Sequence, residues 1–355
     1  MDILSIIAAA VMSLSACLSV PAAKAQDSEP AVSAKGCVVI DALSGDVLYA
    51  KNESEKLPMA STTKIMSAYI ALHQEGLDTP FIVDSEAIKV EGSSMGLREG
   101  DRVTLRQLVC GMLLPSGNDA ANAAAVRIAG SVPAFVKLMN SYAAEMGLSD
   151  THFVTPSGLD DYTDEHYSTA LDMAKLTRES LKLDSFREIC GSRTMQLDTG
   201  KPDQKRWLSN TNRLLGMCDG CIGVKTGFTD KAGRCLVSAC EREGSTLICV
   251  TLNDKNDWED HKALYDRFFG LMRDTELPPE LSGYKIDCPD KGVALNAVGE
   301  SGSIRLPHSA VGRLRRVTLI PPLIYLPVKE GEQVGSTKFY LDGELIASLP
   351  IKTAG

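Results

Sequence analysis

Ser61-Thr62-Thr63-Lys64-Ile65-Met66-Ser67-Ala68-Tyr69-Ile70-Ala71-Leu72 opens with three hydroxyls and an amine and continues as an apolar run rich in helix formers. The run predicts a buried helix. Ser61 and Lys64 are three residues apart, so on a helix they share a face and the amine reaches the hydroxyl. A serine hydroxyl is a weak nucleophile until a base takes its proton. Lysine acts as that base only where burial or a second cation lowers its pKa from about 10.4. The apolar helix supplies the first condition and Lys225 the second. Pro58-Met59-Ala60 precede Ser61 and set it near the helix N-terminus. Unpaired backbone N–H groups there can hold an oxyanion.

Two further strings work with this one. Ser116-Gly117-Asn118 lies between Gly111-Met112-Leu113-Leu114-Pro115 and the helical run Asp119 to Val126, so it is expected on a turn between helices. Its ordinary meaning is a loop with a helix cap. Its chemical meaning is a proton relay, Ser116, beside an amide that donates to a substrate, Asn118. Lys225-Thr226-Gly227 follows Ile222-Gly223-Val224 and precedes the turn Thr229-Asp230-Lys231-Ala232-Gly233 and the run Arg234 to Ala239, which predicts a hairpin. Gly227 leaves room for a substrate backbone against the strand, and Lys225 and Thr226 can hold a carboxylate. Each string alone is weak. All three in this order specify a serine nucleophile that needs no histidine, and the five histidines, His73, His152, His166, His261 and His308, are expected to be structural.

With these residues the chain resembles the serine D-alanyl-D-alanine carboxypeptidases, the low-molecular-mass penicillin-binding proteins of peptidase family S11. Thr155-Pro156-Ser157-Gly158-Leu159-Asp160, His166 to Ala174, Gly223 to Thr229 and Gly233 to Ala239 are similar to the family's usual sequence, and the likeness runs from about residue 30 to the C-terminus. The resemblance implies an α+β fold: a penicillin-binding transpeptidase/β-lactamase-like domain, with an antiparallel sheet flanked by helices, plus a small C-terminal all-β domain. It implies Ser61 as acylated nucleophile, Lys64 as general base and Ser116 as the relay to the leaving D-alanine. Asn118, Lys225, Thr226 and Gly227 become substrate-binding residues, and the backbone N–H groups of Ser61 and Phe228 the oxyanion hole. Some relatives carry a histidine where Phe228 stands. The implied reaction removes the terminal D-alanine from peptidoglycan stem pentapeptides, with β-lactams as covalent inhibitors and a place in cell-wall synthesis and cell shape. No metal or other cofactor is implied. The alternatives are a DD-endopeptidase or transpeptidase acting on cross-links, and an inactive wall-binding protein. The Glu-x-x-Leu-Asn string of class A β-lactamases is missing: Leu295-Asn296 has Gly292 where the glutamate would stand.

Length and composition agree with this outline. The 355 residues suggest two domains, and 44% hydrophobic content supports globular cores. The formal charge is −9, without a basic stripe, which argues against nucleic-acid partners. Ile3 to Ala16 is apolar, and Ala23-Lys24-Ala25 fits a signal-peptide cleavage site, so residues 1–25 read as a signal peptide and the protein as secreted or bound to the cell envelope of a bacterium. Leu14-Ser15-Ala16-Cys17 also resembles a lipobox, which would attach Cys17 to lipid, and an uncleaved anchor is a third possibility. The last residues, Leu349 to Gly355, do not read as a membrane helix.

Ten cysteines become nine if cleavage follows Ala25, leaving an odd thiol. Cys218-x-x-Cys221 with Cys235 and Cys240 has a zinc-like spacing, but Cys235 and Cys240 are an odd number apart in one strand and face opposite ways. Free buried thiols, or a disulfide from Cys221 to the neighbouring strand, fit better.

Residues 26–276 are expected to form the catalytic domain and 280–355 a C-terminal β-sandwich. A hairpin is expected from residues 36–41 and 46–50. Helices are expected near 61–75, 104–114, 118–129, 131–146 and 168–182. Strands should follow near 222–228, 234–240 and 246–252, then a helix near 257–273 and short strands at 317–320, 323–326 and 337–341. Strands from both ends of the first domain around a helical middle predict one antiparallel sheet with helices packed on it.

Overall fold

A computed structural model describes residues 30–160, 163–198, 205–279, 284–288, 293–324 and 327–354. The signal-peptide and lipidation readings, with Ala25 and Cys17, lie outside the described residues. The chain begins with β1 (Gly36–Asp41) and β2 (Val47–Lys51), then a 3-10 turn, Ala60–Thr63, that runs straight into α1 (Lys64–Leu72). The pair β3 (Phe81–Ile82) and β4 (Arg102–Val103) precedes α2 (Leu105–Leu113), α3 (Asn118–Ala129), α4 (Val132–Glu145), α5 (Ala170–Ser180) and α6 (Asp184–Gly191). Next come a hairpin of β5 (Thr194–Asp198) and β6 (Lys205–Ser209), the short α7 (Leu214–Met217), β7 (Cys221–Thr229), β8 (Gly233–Arg242), β9 (Ser245–Leu252) and α8 (Asp257–Phe268).

Five of these strands make one antiparallel sheet in the order β2-β1-β9-β8-β7. Strands from the two ends of this region thus meet at its centre, as the sequence pattern predicts. Successive residues of a strand face opposite sides, and the two sides bury different partners. Val38, Ile40, Val237, Ile248 and Val250 join the large core with α1 to α6. Cys37, Val39, Leu236, Leu247 and Cys249 pack instead with Leu264, Tyr265 and Phe268 of α8. Cys235 falls in the first core and Cys240 in the second, as their odd spacing requires.

The helix boundaries have local causes. Thr104 and Gln107 form a reciprocal capping box at α2. Ser131 caps α4 beside a proline in its first turn. Gly130 ends α3 in the left-handed conformation that an L side chain resists. Ser61 sits on the 3-10 turn rather than in the expected α-helix, because Thr62 Oγ1 donates to Met59 O (2.6 Å) and Thr63 Oγ1 to Ala60 O (2.8 Å), tightening this turn.

The helix expected to 273 stops at Phe268. A 3-10 turn, Phe269–Leu271, follows, and then β10 (Met272–Leu277). β10 leaves the helix because it has a distant partner, β13 (Gly302–Pro307), in full antiparallel register. The remaining elements are β11 (Tyr284–Cys288), β12 (Val293–Gly299), α9 (His308–Val311), β14 (Leu314–Leu319), β15 (Gln333–Leu341) and β16 (Glu344–Ala354). They form a five-stranded antiparallel sheet, β11-β12-β16-β15-β14. Of the strand expected at 323–326, Leu323 makes only an isolated bridge to Asp287, and residues 325–326 lie outside the described residues. Leu43, from the β1–β2 turn, packs with Leu306, Ala310 and Leu341. Arg313 reaches Asp46 of the same turn at 2.6 Å.

Candidate active site

The site is built where the 3-10 turn before α1 meets β7. Lys64 is fully buried, and its Nζ lies 2.9 Å from Ser61 Oγ, 2.7 Å from Asn118 Oδ1 and 2.7 Å from Ser157 O. Burial holds the Lys64 amine well below its ordinary pKa, the positive charge of Lys225 adds to this, and Asp119 opposes it. Asn118 N–H donates to Ser93 O (2.7 Å), and its Nδ2 donates to Glu91 O (2.7 Å). Asp119, also buried, accepts from the N–H groups of Met95, Gly96 and Leu97 and from Ser94 Oγ. The start of α3 thereby ties the 91–97 segment to the site. Ser116 takes a positive φ of 65° on the turn between α2 and α3.

A second support was legible only as family likeness. The segment Thr155–Leu159 turns on itself, with Gly158 N–H donating to Thr155 Oγ1 and Thr155 Oγ1 to Leu159 O. Its carbonyls meet two successive positions on one face of α1: Ser157 O accepts from Lys64, and Pro156 O from Ser67 Oγ (2.6 Å). At Gly158, φ is +92°, and an added Cβ would stand 2.0 Å from Ala60 O. Behind this, His166 is buried: Val154 N–H donates to its Nδ1 (2.9 Å), so its Nε2 carries the proton toward Thr63 Oγ1 (2.8 Å). Burial pushes its pKa down to about 3, so it stays neutral. That is a structural histidine.

β7 forms the other wall. Gly227 packs so closely on the 3-10 turn that an added Cβ would lie 3.0 Å from Ser61 N and 3.1 Å from Met59 O. Thr226 Oγ1 pairs with Thr211 Oγ1 at 2.7 Å. Ser61, Ser116, Thr226, Gly227 and Phe228 line one cleft of about 420 Å³, with Ser93 and Thr211 beside them. Lys225 is not among the lining residues. Its amine is buried, donates to Thr226 O (2.7 Å), and has its pKa lowered to about 7 by burial. Phe228 is 63% exposed, at the rim. The hairpin places Arg234 near Lys225 as a positive group, but its partners on the rim, Asp257 and Trp258, are not evident from the sequence. Arg234, opposite Phe228 in the ladder, makes a two-point ion pair with the buried Asp257 and lies 5.7 Å over Trp258. Of the eight expected residues, five line the cleft, Lys64 is hydrogen-bonded to Ser61 and Asn118 to Lys64, and Lys225 is buried beside Thr226 in β7.

The model of the D-alanyl-D-alanine carboxypeptidase family matches residues 23–256. The chain belongs to this family. It is 31% identical to the D-alanyl-D-alanine carboxypeptidase DacF of Bacillus subtilis over 91% of the chain and 86% of that protein. It is 33% identical to DacC of Escherichia coli over 91% and 84%. Among solved structures, the D-alanyl-D-alanine carboxypeptidase DacD of Francisella tularensis superposes with a TM-score of 0.65 at 28% identity, covering 94% of this chain and 96% of that one. The Streptomyces K15 DD-transpeptidase is 32% identical, with a TM-score of 0.65, and covers 69% of this chain and 100% of its own. The match to the Francisella tularensis structure extends into the C-terminal sheet. The family is one of serine hydrolases, and its fold is the α+β arrangement expected from the sequence.

Proposed function

We propose that this protein is a serine-type D-Ala-D-Ala carboxypeptidase that removes the terminal D-alanine from peptidoglycan stem pentapeptides through a Ser61 acyl-enzyme. The observation that carries the reading is the set of atoms around Lys64. A neutral lysine has two N–H donors and one lone pair. Asn118 Oδ1 and Ser157 O have no hydrogen to give, so they take the two donors. The lone pair is left for the Ser61 hydroxyl, 2.9 Å away. Burial disfavours the charged form of the amine, which suits it to accept the proton as Ser61 attacks the carbonyl between two D-alanines. The resulting ammonium is met by the same two oxygens and by nearby Asp119.

In this reading the backbone N–H groups of Ser61 and Phe228 stabilise the oxyanion. Gly227 lets β7 lie close against the turn that bears Ser61, and Thr226, Asn118 and Lys225 bind the substrate. Ser116 passes the proton to the leaving D-alanine. Water then frees Ser61. Penicillins acylate the same serine, because their amide occupies the place of the scissile bond. Residues 26–276 serve as the catalytic domain, and residues 280–355 are a pedestal that holds the active site at a distance from the membrane. Because the substrate lies outside the cytoplasm, the protein works there, exported by its first 25 residues or held by lipid on Cys17.

The likeness to a DD-transpeptidase supports a second reading, transfer of the acyl group to an amine instead of water. Incubation with a stem pentapeptide ending in D-Ala-D-Ala, with and without an amine acceptor, separates the two by mass. Loss of one alanine is expected. A product joined to the acceptor would favour transfer, and an unchanged peptide would overturn both.

A further inference from the structure

The root of β7, opposite in the strand to Lys225-Thr226-Gly227, carries chemistry that acyl transfer does not use. Cys218 follows α7, Cys221 opens β7, and Cys240 faces Cys221 in the β7–β8 ladder. Cys218 Sγ and Cys240 Sγ are 3.5 Å apart, and the Cys240 thiol also hydrogen-bonds with Cys221. The 218–221 turn is clamped over β8, with Glu241 N–H donating to Gly220 O (2.8 Å) and Arg242 Nε to Asp219 O (3.0 Å). Arg242 Nη2 points at Cys218 Sγ, 3.4 Å away.

Two of these three thiols, Cys218 and Cys221, are shifted in the opposite direction to Cys110, Cys190, Cys235 and Cys249. Burial pushes Cys110, Cys190 and Cys235 up to about 12, and Cys249 is raised by burial and by Cys37. Cys218 is instead lowered to about 7 by its hydrogen bond with Cys240 and by Arg242, and Cys221 is lowered by its hydrogen bond with Cys240. Cys240 is raised, first by its hydrogen bonds with Cys218 and Cys221 and then by burial. Cys221 is partly exposed, whereas Cys240 is fully buried. The arrangement is an accessible nucleophilic thiol, a buried thiol in contact with it, and a third thiol ready to exchange.

We propose that Cys218, Cys221 and Cys240 form a thiol–disulfide exchange site, in which Cys240 bonds in turn to Cys221 and Cys218. The co-reactant is an external disulfide. The Cys221 thiolate attacks one of its sulfurs, forming a mixed disulfide and releasing one thiolate. Cys240 gives up its proton to that thiolate and attacks the Cys221 sulfur, and the second external sulfur leaves as a thiol with the proton lost by Cys221. Two protein thiols are oxidised by two electrons, and one external disulfide is reduced to two thiols. Cys218 then displaces Cys221 from Cys240 by exchange, with no further change in oxidation state. Either bond ties the root of the strand bearing Lys225 to β8. The site is independent of the acyl-transfer reading, since no residue of the cleft takes part.

The test uses the full chain, reduced and then exposed to oxidised glutathione, with thiols counted by alkylation and intact mass, and bonds mapped in non-reducing digests. The expected result is loss of two alkylatable thiols per chain, with Cys240 linked to Cys218 or Cys221. Cys218→Ser should leave only the Cys221–Cys240 bond. Cys221→Ser should leave only Cys218–Cys240, formed more slowly. Cys240→Ser should trap glutathione on Cys221. An unchanged thiol count, a bond mapped to Cys37 and Cys249, or loss of the bond in Cys218→Ser would overturn the proposal. Thermal melting of each reduced variant identifies any that fails to fold, and the two single variants at Cys218 and Cys221 decide the matter without Cys240→Ser.

Discussion

Lys64 and Lys225 are two lysine side chains with almost no exposed surface, and their burial costs the charged form. Lys225 shows its sign. In the folded chain its pKa is about 7, against an ordinary 10.5. Between these values the unfolded chain binds a proton that the folded chain does not, so stability rises with pH across that window. Lys225→Met should therefore be more stable than the parent near neutral pH, by a few kcal/mol at about 1.4 kcal/mol per pKa unit. It should also lose the extra pH slope between about 7 and 10.5. Denaturant unfolding of both proteins at several pH values checks this, and a variant less stable than the parent at pH 7 would contradict it. Ser61→Ala tests the chemistry with little structural change. Covalent uptake of a fluorescent penicillin should vanish, and turnover should fall by roughly three orders of magnitude or more. Retained covalent labelling would move the nucleophile elsewhere. These residues were legible because side-chain chemistry and spacing are local facts. The rim pair Arg234 and Asp257 was not, because its members are 23 residues apart and meet only across the folded sheet.

At the scale of elements, the same division holds. The helices with caps and one apolar face, α2 to α5, match their sequence signals to within two residues or so at each end. The hairpin of β5 and β6 was missed, although Met195, Leu197 and Leu208 alternate with exposed neighbours in the two-residue period of a half-buried strand. α8 was read too long because β10 gains its strand character from β13, some thirty residues later, and no local window contains that partner. The loop 155–159 was legible only as family likeness, since its work is done by carbonyl oxygens. Gly158→Ala measures that work. The new methyl would overlap Ala60 O, a backbone atom of the turn bearing Ser61, at a positive φ. The expected loss is at least about 3 kcal/mol of stability, accompanied by slower penicillin acylation. Gly147→Ala is the control. It has φ +68° but nothing within 4 Å of the added Cβ, so it should cost only about 1 kcal/mol and leave acylation unchanged. Equal effects from the two substitutions would mean that φ alone matters, and that the contact with Ala60 does not.

Across the whole molecule, two buried histidines link acid stability to the site. His261 lies on the α8 side of the main sheet, between Ser238 Oγ (2.7 Å) and Thr251 Oγ1 (2.9 Å). His166 lies on the other side, between Val154 N–H and Thr63 Oγ1. Burial lowers both to about 3, from an ordinary 6.5. As pH falls below about 6.5, the unfolded chain takes up protons that the folded chain refuses. Stability is therefore fully present above that value and declines toward pH 3, by about 1.4 kcal/mol per pH unit for each histidine. His166 adds a functional consequence: its proton on Nε2 reaches Thr63, the residue before Lys64, so protonating Nδ1 would break its bond from Val154 and loosen the turn that holds Ser61. Histidine ring resonances followed by NMR as pH is lowered should show two imidazoles that do not titrate above about pH 4, while denaturant unfolding over the same range shows falling stability. A ring at either position with a midpoint near 6.5 would remove that histidine from the account. If it were His166, acylation by penicillin would then depend on pH through this histidine as well as through the lysine pair.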